Sequence, residues 1–251
     1  MELLIDLGNT RTKWALLDTD YQAGAQWQTS GNATDLAGLL QHWLRLPPPR
    51  SISGCAVGCP DLQQQISDWT RQHWHRSPGW LRPAAGCLGL SSDYDLTQLG
   101  SDRWATLAGA RSLYPDTPLL IVSAGTACVL DSMSVDGRFL GGMILPGYRL
   151  QRQALHQHTA RLPLREGEYR EFPHNTADAI ATGCVSALTA CVETAFSRLA
   201  RNSTVIPLLL LTGGDAPLLA DKLNKPALLV DNLALHGLAA LRTSGEGEFL
   251  P

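Results

Sequence analysis

A short glycine turn set between two apolar runs occurs twice in this chain, at Asp6-Leu7-Gly8-Asn9-Thr10 and again at Ser123-Ala124-Gly125-Thr126. Around the first, Glu2 to Ile5 reads as a buried strand and Trp14 to Leu17 as its return, so residues 6 to 13 form a hairpin bend. Around the second, Leu119 to Val122 and Ala127 to Met133 repeat that arrangement, and Asp136-Gly137 turns the chain into a third strand, Arg138 to Ile144. In the first half the third strand falls at Gln22 to Thr29. Helices over Thr34 to Leu46, with Thr34 as N-cap, and over Pro60 to Trp74 enclose a strand at Ser51 to Val57; a strand at Gly79 to Arg82 and a helix from Gly100 to about Leu113 follow. The second half continues with helices near Tyr148 to His156 and from Thr176 to about Leu199, then a strand at Ile206 to Leu211 and a turn at Gly213-Gly214. A short helix, a strand at Ala227 to Val230, a helix from Asn232 to Leu241 and a frayed tail after Thr243 complete it. Repetition on this scale marks an internal duplication. It predicts an α/β fold of two related domains, 1–117 and 118–251, each a mixed β-sheet flanked by helices, divided at Tyr114-Pro115-Asp116-Thr117-Pro118, with the two glycine turns facing across a cleft.

The first turn carries phosphate chemistry. Gly8 can take positive φ, which lets neighbouring N–H groups form an anion nest, while Thr10 adds a hydroxyl and Lys13 a point charge. Lysine is scarce here: the chain has three, and none lies between Lys13 and Lys222. Asp6 would repel a bare phosphate, so its presence points to a hydrated Mg²⁺ between the two.

Composition removes several classes of function. A net charge of −3 with scattered arginines gives no footprint for nucleic acid. The six cysteines (Cys55, Cys59, Cys87, Cys128, Cys184, Cys191) form no CxxC pair and follow no signal peptide, so they read as reduced core residues of a cytoplasmic protein. Cys55 with Cys59, His73 with His75 and His156 with His158 fall short of a four-ligand zinc set. No apolar run reaches membrane-spanning length on this reading.

Five motifs in order narrow the reading: Gly100-Ser101-Asp102-Arg103 opening a helix, Gly125-Thr126, Leu140-Gly141-Gly142-Met143-Ile144-Leu145-Pro146-Gly147, Asn175-Thr176 before a helix, and Leu211-Thr212-Gly213-Gly214. Together they resemble type III pantothenate kinase, in the branch labelled Bvg accessory factor, within the acetate and sugar kinase, Hsp70 and actin superfamily. The resemblance implies duplicated ribonuclease H-like (actin-like ATPase) domains. It also implies transfer of the γ-phosphoryl group of ATP to the 4′-hydroxyl of pantothenate, the first step toward coenzyme A. Asp102 would then be the general base. Asp6, Leu7, Gly8, Asn9, Thr10, Arg11, Thr12, Lys13 and Thr126 would bind ATP, with Asp6 holding Mg²⁺ through water. Tyr94, Gly100, Ser101, Asp102, Arg103 and Thr176 would bind pantothenate, the planar guanidinium of Arg103 suiting a carboxylate or amide. Small residues at Ala177, Ala181, Gly183, Ala187 and Ala190 permit close helix packing, either within the core or against the same helix of another subunit, and the resemblance implies a homodimer.

One position departs from the pattern. The family usually carries aspartate where this chain has Ser123, and that aspartate accompanies a monovalent cation, K⁺ or NH₄⁺, so the substitution bears on that ion more than on phosphoryl transfer. Two other readings remain open at this point: a kinase of the same superfamily acting on another small hydroxylated substrate, and a regulatory protein without catalysis. No membrane and no nucleic-acid partner is expected.

Overall fold

The computed structural model describes residues 1–17, 27, 29–58 and 60–251. Its strands are β1 (Glu2–Leu7), β2 (Thr12–Leu17), β3 (Thr29–Ala33), β4 (Ser51–Ala56), β5 (Gly79–Arg82), β6 (Gly86–Cys87), β7 (Leu90–Ser92), β8 (Leu119–Ala124), β9 (Ala127–Met133), β10 (Arg138–Pro146), β11 (Leu208–Thr212), β12 (Leu228–Leu229) and β13 (Glu248–Leu250). Its helices are α1 (Leu36–Trp43), α2 (Pro60–Trp74), α3 (Ser101–Leu113), α4 (Tyr148–His158), α5 (Thr176–Arg201), α6 (Ala216–Ala220) and α7 (Leu233–Ser244). The chain divides into two compact units. One holds Met1–Asp116, Asp136–Phe139 and Asn232–Pro251; the other holds Thr117–Val135 and Leu140–Asp231.

The first unit is built on a sheet of order β13-β5-β4-β1-β2-β3, in which β1 runs antiparallel to β2 and parallel to β4. Its alternation buries Leu3, Ile5 and Leu7 against Leu39 and Trp43 of α1 and Ile66 and Trp74 of α2. Helices α3 and α7 pack on each other and on β1 and β4. Their crossing is unusually close: a Cβ on Gly237 would stand 1.7 Å from the Ala105 carbonyl oxygen, and one on Gly109 would stand 2.2 Å from that of Leu233. Only glycine lets two helix backbones touch in this way.

The second unit carries the strand order β12-β11-β8-β9-β10, with β8 antiparallel to β9 and parallel to β11. This repeats β5-β4-β1-β2-β3 strand for strand, which is the duplication expected from the two glycine turns. Leu120 and Val122 of β8 and Leu209 and Leu211 of β11 meet Leu188, Val192 and Leu199 of α5 in one core. By length and composition the 26-residue α5 could cross a membrane, contrary to the expectation that no segment would. Its apolar face is instead committed to this core.

Several boundaries differ from the sequence reading. Strands β1 and β2 extend through Leu7 and from Thr12, with Asp6 opposite Lys13, so Lys13 belongs to a strand and the bend shrinks to residues 8–11. Gly8 does not use positive φ; its N–H donates to the Arg11 carbonyl oxygen at 3.2 Å, and a Cβ there would come within 3.1 Å of the same oxygen, a tight approach. Most of the segment expected as the third strand lies outside the described residues, as does Cys59, and β3 begins at its last residue. Asp35, not Thr34, caps α1, accepting from the Gly38 N–H. The tail expected to fray pairs as β13 along β5, with Phe249 against Gly79. Strands this short have no readable period, so pairing alone reveals β6, β7 and β13.

Candidate active site

Three chain segments of the first unit bring acidic groups together. Strand order places β1 beside β4, and both end at the same edge, so Asp6 and Cys55 lie opposite each other in register. The helix start that follows Gly100 is tied to the end of β4 by Ser101, whose hydroxyl donates to the Ala56 carbonyl and accepts from the Ala56 N–H, each at 3.0 Å. This tie sets Asp102 close enough to Asp6 and Cys55 for its charge to act on both.

Asp6 is held at both oxygens. The Cys55 thiol donates to Oδ1 over 3.6 Å, and the Lys13 ammonium lies 3.9 Å from Oδ2. Burial raises the Asp6 pKa above the ordinary carboxylate value; Lys13 and the thiol bond pull it down, and the charge of Asp102 pushes it up. The Cys55 thiol itself is pushed well up, first by burial and then by the two carboxylates, so it stays a neutral donor.

Asp102 occupies the first turn of α3, behind the N-cap Gly100. Its Oδ1 accepts the Arg103 N–H at 2.7 Å, a bond available only because the first helical N–H groups lack partners within the helix. A Cβ on Gly100 would stand 2.6 Å from that same oxygen, so glycine makes room for the carboxylate. Burial raises the Asp102 pKa, and the Arg103 N–H and guanidinium charge partly offset the rise. A desolvated carboxylate of this kind can accept a proton near neutral pH more readily than an exposed one.

Arg103 is buried, with its guanidinium carbon 5.2 Å from the centre of the Tyr94 ring and 5.6 Å from that of Phe139. At the first glycine turn Asn9, Thr10 and Arg11 are exposed, while Leu7 and Thr12 turn their side chains inward. Any contact of Leu7 with a ligand therefore comes from its backbone, whose carbonyl already accepts the Val57 N–H. A shallow hollow of about 50 Å³ lies between residues 8–12 and Thr34 to Leu36.

The remaining expected residues belong to the second unit. Ser123 sits opposite Thr212 on β11, the same relation that Asp6 has to Cys55 in the first unit. The Thr212 hydroxyl is buried without a protein partner. Thr126 is exposed at the turn, which is braced from two sides: the Gly147 N–H donates to the Thr126 carbonyl at 2.9 Å, and the Asp215 N–H to that of Ala124 at 3.1 Å. Gly213 takes φ +99°, where a Cβ would strike the Ala124 carbonyl at 2.2 Å. Thr176 is the exposed first residue of α5, and the cap is Asn175, which accepts from the Asp178 N–H.

Among the described residues no group of three or more His, Cys, Asp or Glu side chains could cage a metal. Mg²⁺ that travels with a nucleotide needs no cage, since it keeps waters and takes one or two carboxylates with phosphate oxygens. Asp6, held at a strand end beside the turn, fits that role.

The family model described as type III pantothenate kinase matches residues 2–198. A type III pantothenate kinase of Laribacter hongkongensis is 41% identical over 242 residues, covering 96% of this chain and 98% of the relative. This chain belongs to the type III pantothenate kinase family. The enzyme of that name from Aromatoleum aromaticum is 39% identical, with 96% and 97% of the two chains covered. Among solved structures, a Campylobacter jejuni protein described as a Baf family transcriptional activator superposes with a TM-score of 0.64 at 20% identity, covering 97% of this chain and 98% of that one. A Sinorhizobium meliloti protein described as a 2-dehydro-3-deoxygalactonokinase gives 0.56 at 14%, covering 98% and 100%. Likeness at such identities carries the fold: two mixed sheets of the actin-like ATPase and sugar kinase type.

Two residues of this family member escape a reading by motif. Cys55 was read as a core cysteine, yet counting β1 and β4 from their starts already aligns it with Asp6. Phe139 follows a hairpin turn and looks like any strand aromatic; only its pairing with Ser92 brings it to Arg103.

Proposed function

We propose that this protein is an ATP-dependent kinase that phosphorylates the 4′-hydroxyl of pantothenate, opening the route to coenzyme A, with Asp102 as the general base. The observation that carries this reading is Asp102 itself: desolvated, fixed by the Arg103 N–H, and set at a helix start beside the strand-end carboxylate Asp6. Asp102 takes the hydroxyl proton as the oxygen attacks phosphorus. Lys13 offsets charge that develops on the transferring group. Asn9, Thr10, Arg11 and backbone groups of residues 7 to 12 hold the phosphates, and Thr126 is assigned to them as well. Asp6 is the carboxylate that would hold Mg²⁺, and the ion, when bound, would supply further charge neutralisation. Tyr94, Gly100, Arg103 and Thr176 are assigned to pantothenate, and Ser101 acts on the site through its tie to Ala56.

The measurement is ADP release by the purified protein with ATP, Mg²⁺ and a panel of hydroxylated acids and sugars. Turnover confined to pantothenate supports the reading, turnover of a sugar instead replaces it with another kinase of the fold, and no turnover by folded protein leaves the regulatory reading. Repeating the assay with K⁺, NH₄⁺ and Na⁺ tests the Ser123 position. Independence from the ion is expected, because the hydroxyls of Ser123 and Thr212 supply no negative charge there.

A homodimer in the cytoplasm belongs to the same reading. On α5 Gly183, Ala187 and Ala190 form an exposed stripe of small residues, which suits close approach of a second helix. A Cβ on Gly183 meets nothing within 4 Å, so Gly183→Arg is expected to leave the monomer fold intact. Sedimentation of that variant as a monomer, against a dimeric parent, is the expected outcome.

A further inference from the structure

The chain between α4 and α5 forms no helix or strand, yet Arg165 to Arg170 is a fixed strap along the start of α5. The Glu168 N–H donates to Asp178 Oδ1 at 2.8 Å, and Thr182 bonds Arg170 twice, its hydroxyl accepting the N–H at 3.0 Å and donating to the carbonyl at 3.2 Å. The spacing matches: two residues of extended chain rise about 6.6 Å and four of helix about 6 Å, so the strap runs beside one face of α5. Just before these bonds Gly167 lies flat on the helix, where a Cβ would stand 2.2 Å from the Ala177 carbonyl oxygen. Asp178 joins the strap to the helix start, because its Oδ2 accepts the side-chain amide of Asn175 at 2.8 Å, and Asn175 is the cap that precedes Thr176.

Arg152 of α4 holds the strap at its other end. Its guanidinium donates to both carboxylate oxygens of Glu166, at 3.2 and 3.1 Å, and to the Arg165 carbonyl at 2.6 Å, with its carbon 5.2 Å from the centre of the Tyr148 ring. Arg152 is 7% exposed, and a buried cation requires such partners, whereas the Glu166 side chain is 91% exposed. Undocking would strip Arg152 of these acceptors and leave Glu166 in water, so the drive to dock the strap comes from Arg152. We propose that Arg152 is a positioning residue which, through the strap and Asp178, fixes the Asn175-Thr176 entry to α5 and so strengthens binding of pantothenate without touching it. This rests on the assignment of Thr176 to pantothenate.

The test uses Arg152→Met, which removes the charge, keeps a long side chain and strands no buried acid. Trypsin cleavage after Arg165 and Arg170, followed by mass spectrometry, reads the strap, and steady-state constants read the site. The Met variant is expected to be cut at these two bonds about tenfold faster than the parent, with cleavage elsewhere unchanged. It should also raise KM for pantothenate about 3- to 10-fold, the effect of one lost hydrogen bond, with kcat and KM for ATP within about twofold of the parent. Gly167→Ala reaches the strap independently, through a methyl group set against the Ala177 carbonyl, and should give the same pattern. If both act through the strap, the double variant stays within about twofold of the Met variant, and additive losses overturn the proposal. Unchanged cleavage, faster cleavage with KM for pantothenate unmoved, or equal loss for pantothenate and ATP overturns it as well, the last because general loosening of the fold moves both substrates. If the Met variant does not fold by circular dichroism, Gly167→Ala takes its place under the same criteria. A parent enzyme inactive on pantothenate overturns the kinase reading and this inference with it; an active parent whose KM for pantothenate does not move in the variants overturns the inference alone.

Discussion

Cys55 faces Asp6 across two parallel strands and donates its thiol proton to Oδ1, while Lys13 faces the same carboxylate from the antiparallel side. Each oxygen thus has its own partner within one sheet. Cys55→Ala removes the thiol donor to Oδ1 and adds no atom to the fully buried site. Loss of one such hydrogen bond is expected to weaken binding of Mg²⁺-ATP by about 3- to 10-fold, read by calorimetry and by KM for ATP, with kcat at saturation nearly unchanged. Cys55→Ser, which still donates, should recover most of the loss.

Asp102→Asn tests the base directly. The amide keeps the shape and still accepts the Arg103 N–H, but it cannot take a proton. The expected outcome is a fall in kcat of about 10²- to 10⁴-fold in a steady-state assay, with pantothenate affinity by calorimetry within about threefold of the parent. A variant with near-parental kcat removes Asp102 from the role.

The same substitution makes a prediction about stability, with a definite sign. Burial raises the folded pKa of Asp102, so the folded state binds this proton more tightly than the unfolded chain does. The group's contribution is fully present below the unfolded carboxylate range and is lost as pH rises through the raised folded value. At neutral pH the ionised side chain therefore costs stability, and Asp102→Asn should melt above the parent there. That difference should vanish below about pH 3, where the carboxyl is protonated in both states. Thermal melts of both proteins from acid to neutral pH check it.

Catalysis should titrate on the same side. A base must be ionised, so the acidic limb of kcat/KM is expected above the ordinary carboxylate range, and Asp6, shifted in the same direction, contributes to it as a coupled group. Lys13→Met removes the charge that lowers the Asp6 pKa and should move that limb to higher pH while reducing kcat. A pH profile with the limb unmoved would show that Asp6 does not titrate in the reaction.

Much of the candidate site can be nominated before any coordinates are known, because its parts are local. Asp6, Gly8 and Thr10 share one turn, and Asp102 and Arg103 share one helix start, so motif and spacing suffice to nominate them. What escaped is non-local. Cys55 depends on the β1–β4 register, Phe139 on a two-residue ladder between β7 and β10, and Ser101 on a bond to Ala56 45 residues away. The fold divides in the same way: the repeated strand order follows from two similar hairpins, whereas β13 depends on a non-local ladder that pairs Glu248, Phe249 and Leu250 with Arg82, Leu81 and Trp80. Gly8 shows the remaining kind of miss: the residue type stands out in the sequence, but the positive φ expected of it is not used.

The contact between α3 and α7 links such an approach to catalysis. Gly237 lies against the Ala105 carbonyl and Gly109 against that of Leu233, so the helices touch through backbone and cannot admit a methyl group. Gly237→Ala must push α7 away from α3, and neither backbone can rotate out of the way as a side chain would. The expected cost is about 1–3 kcal/mol by urea unfolding, despite the better helix propensity of alanine. Because α3 opens with Asp102 and Arg103, the displacement should also reach the site, lowering kcat/KM for pantothenate in protein that remains folded. Gly245→Ala at the end of α7 removes a left-handed cap without crowding α3, and should lower stability while leaving kcat/KM unchanged. If both variants lose activity in proportion to stability alone, the α3–α7 contact does not position Asp102.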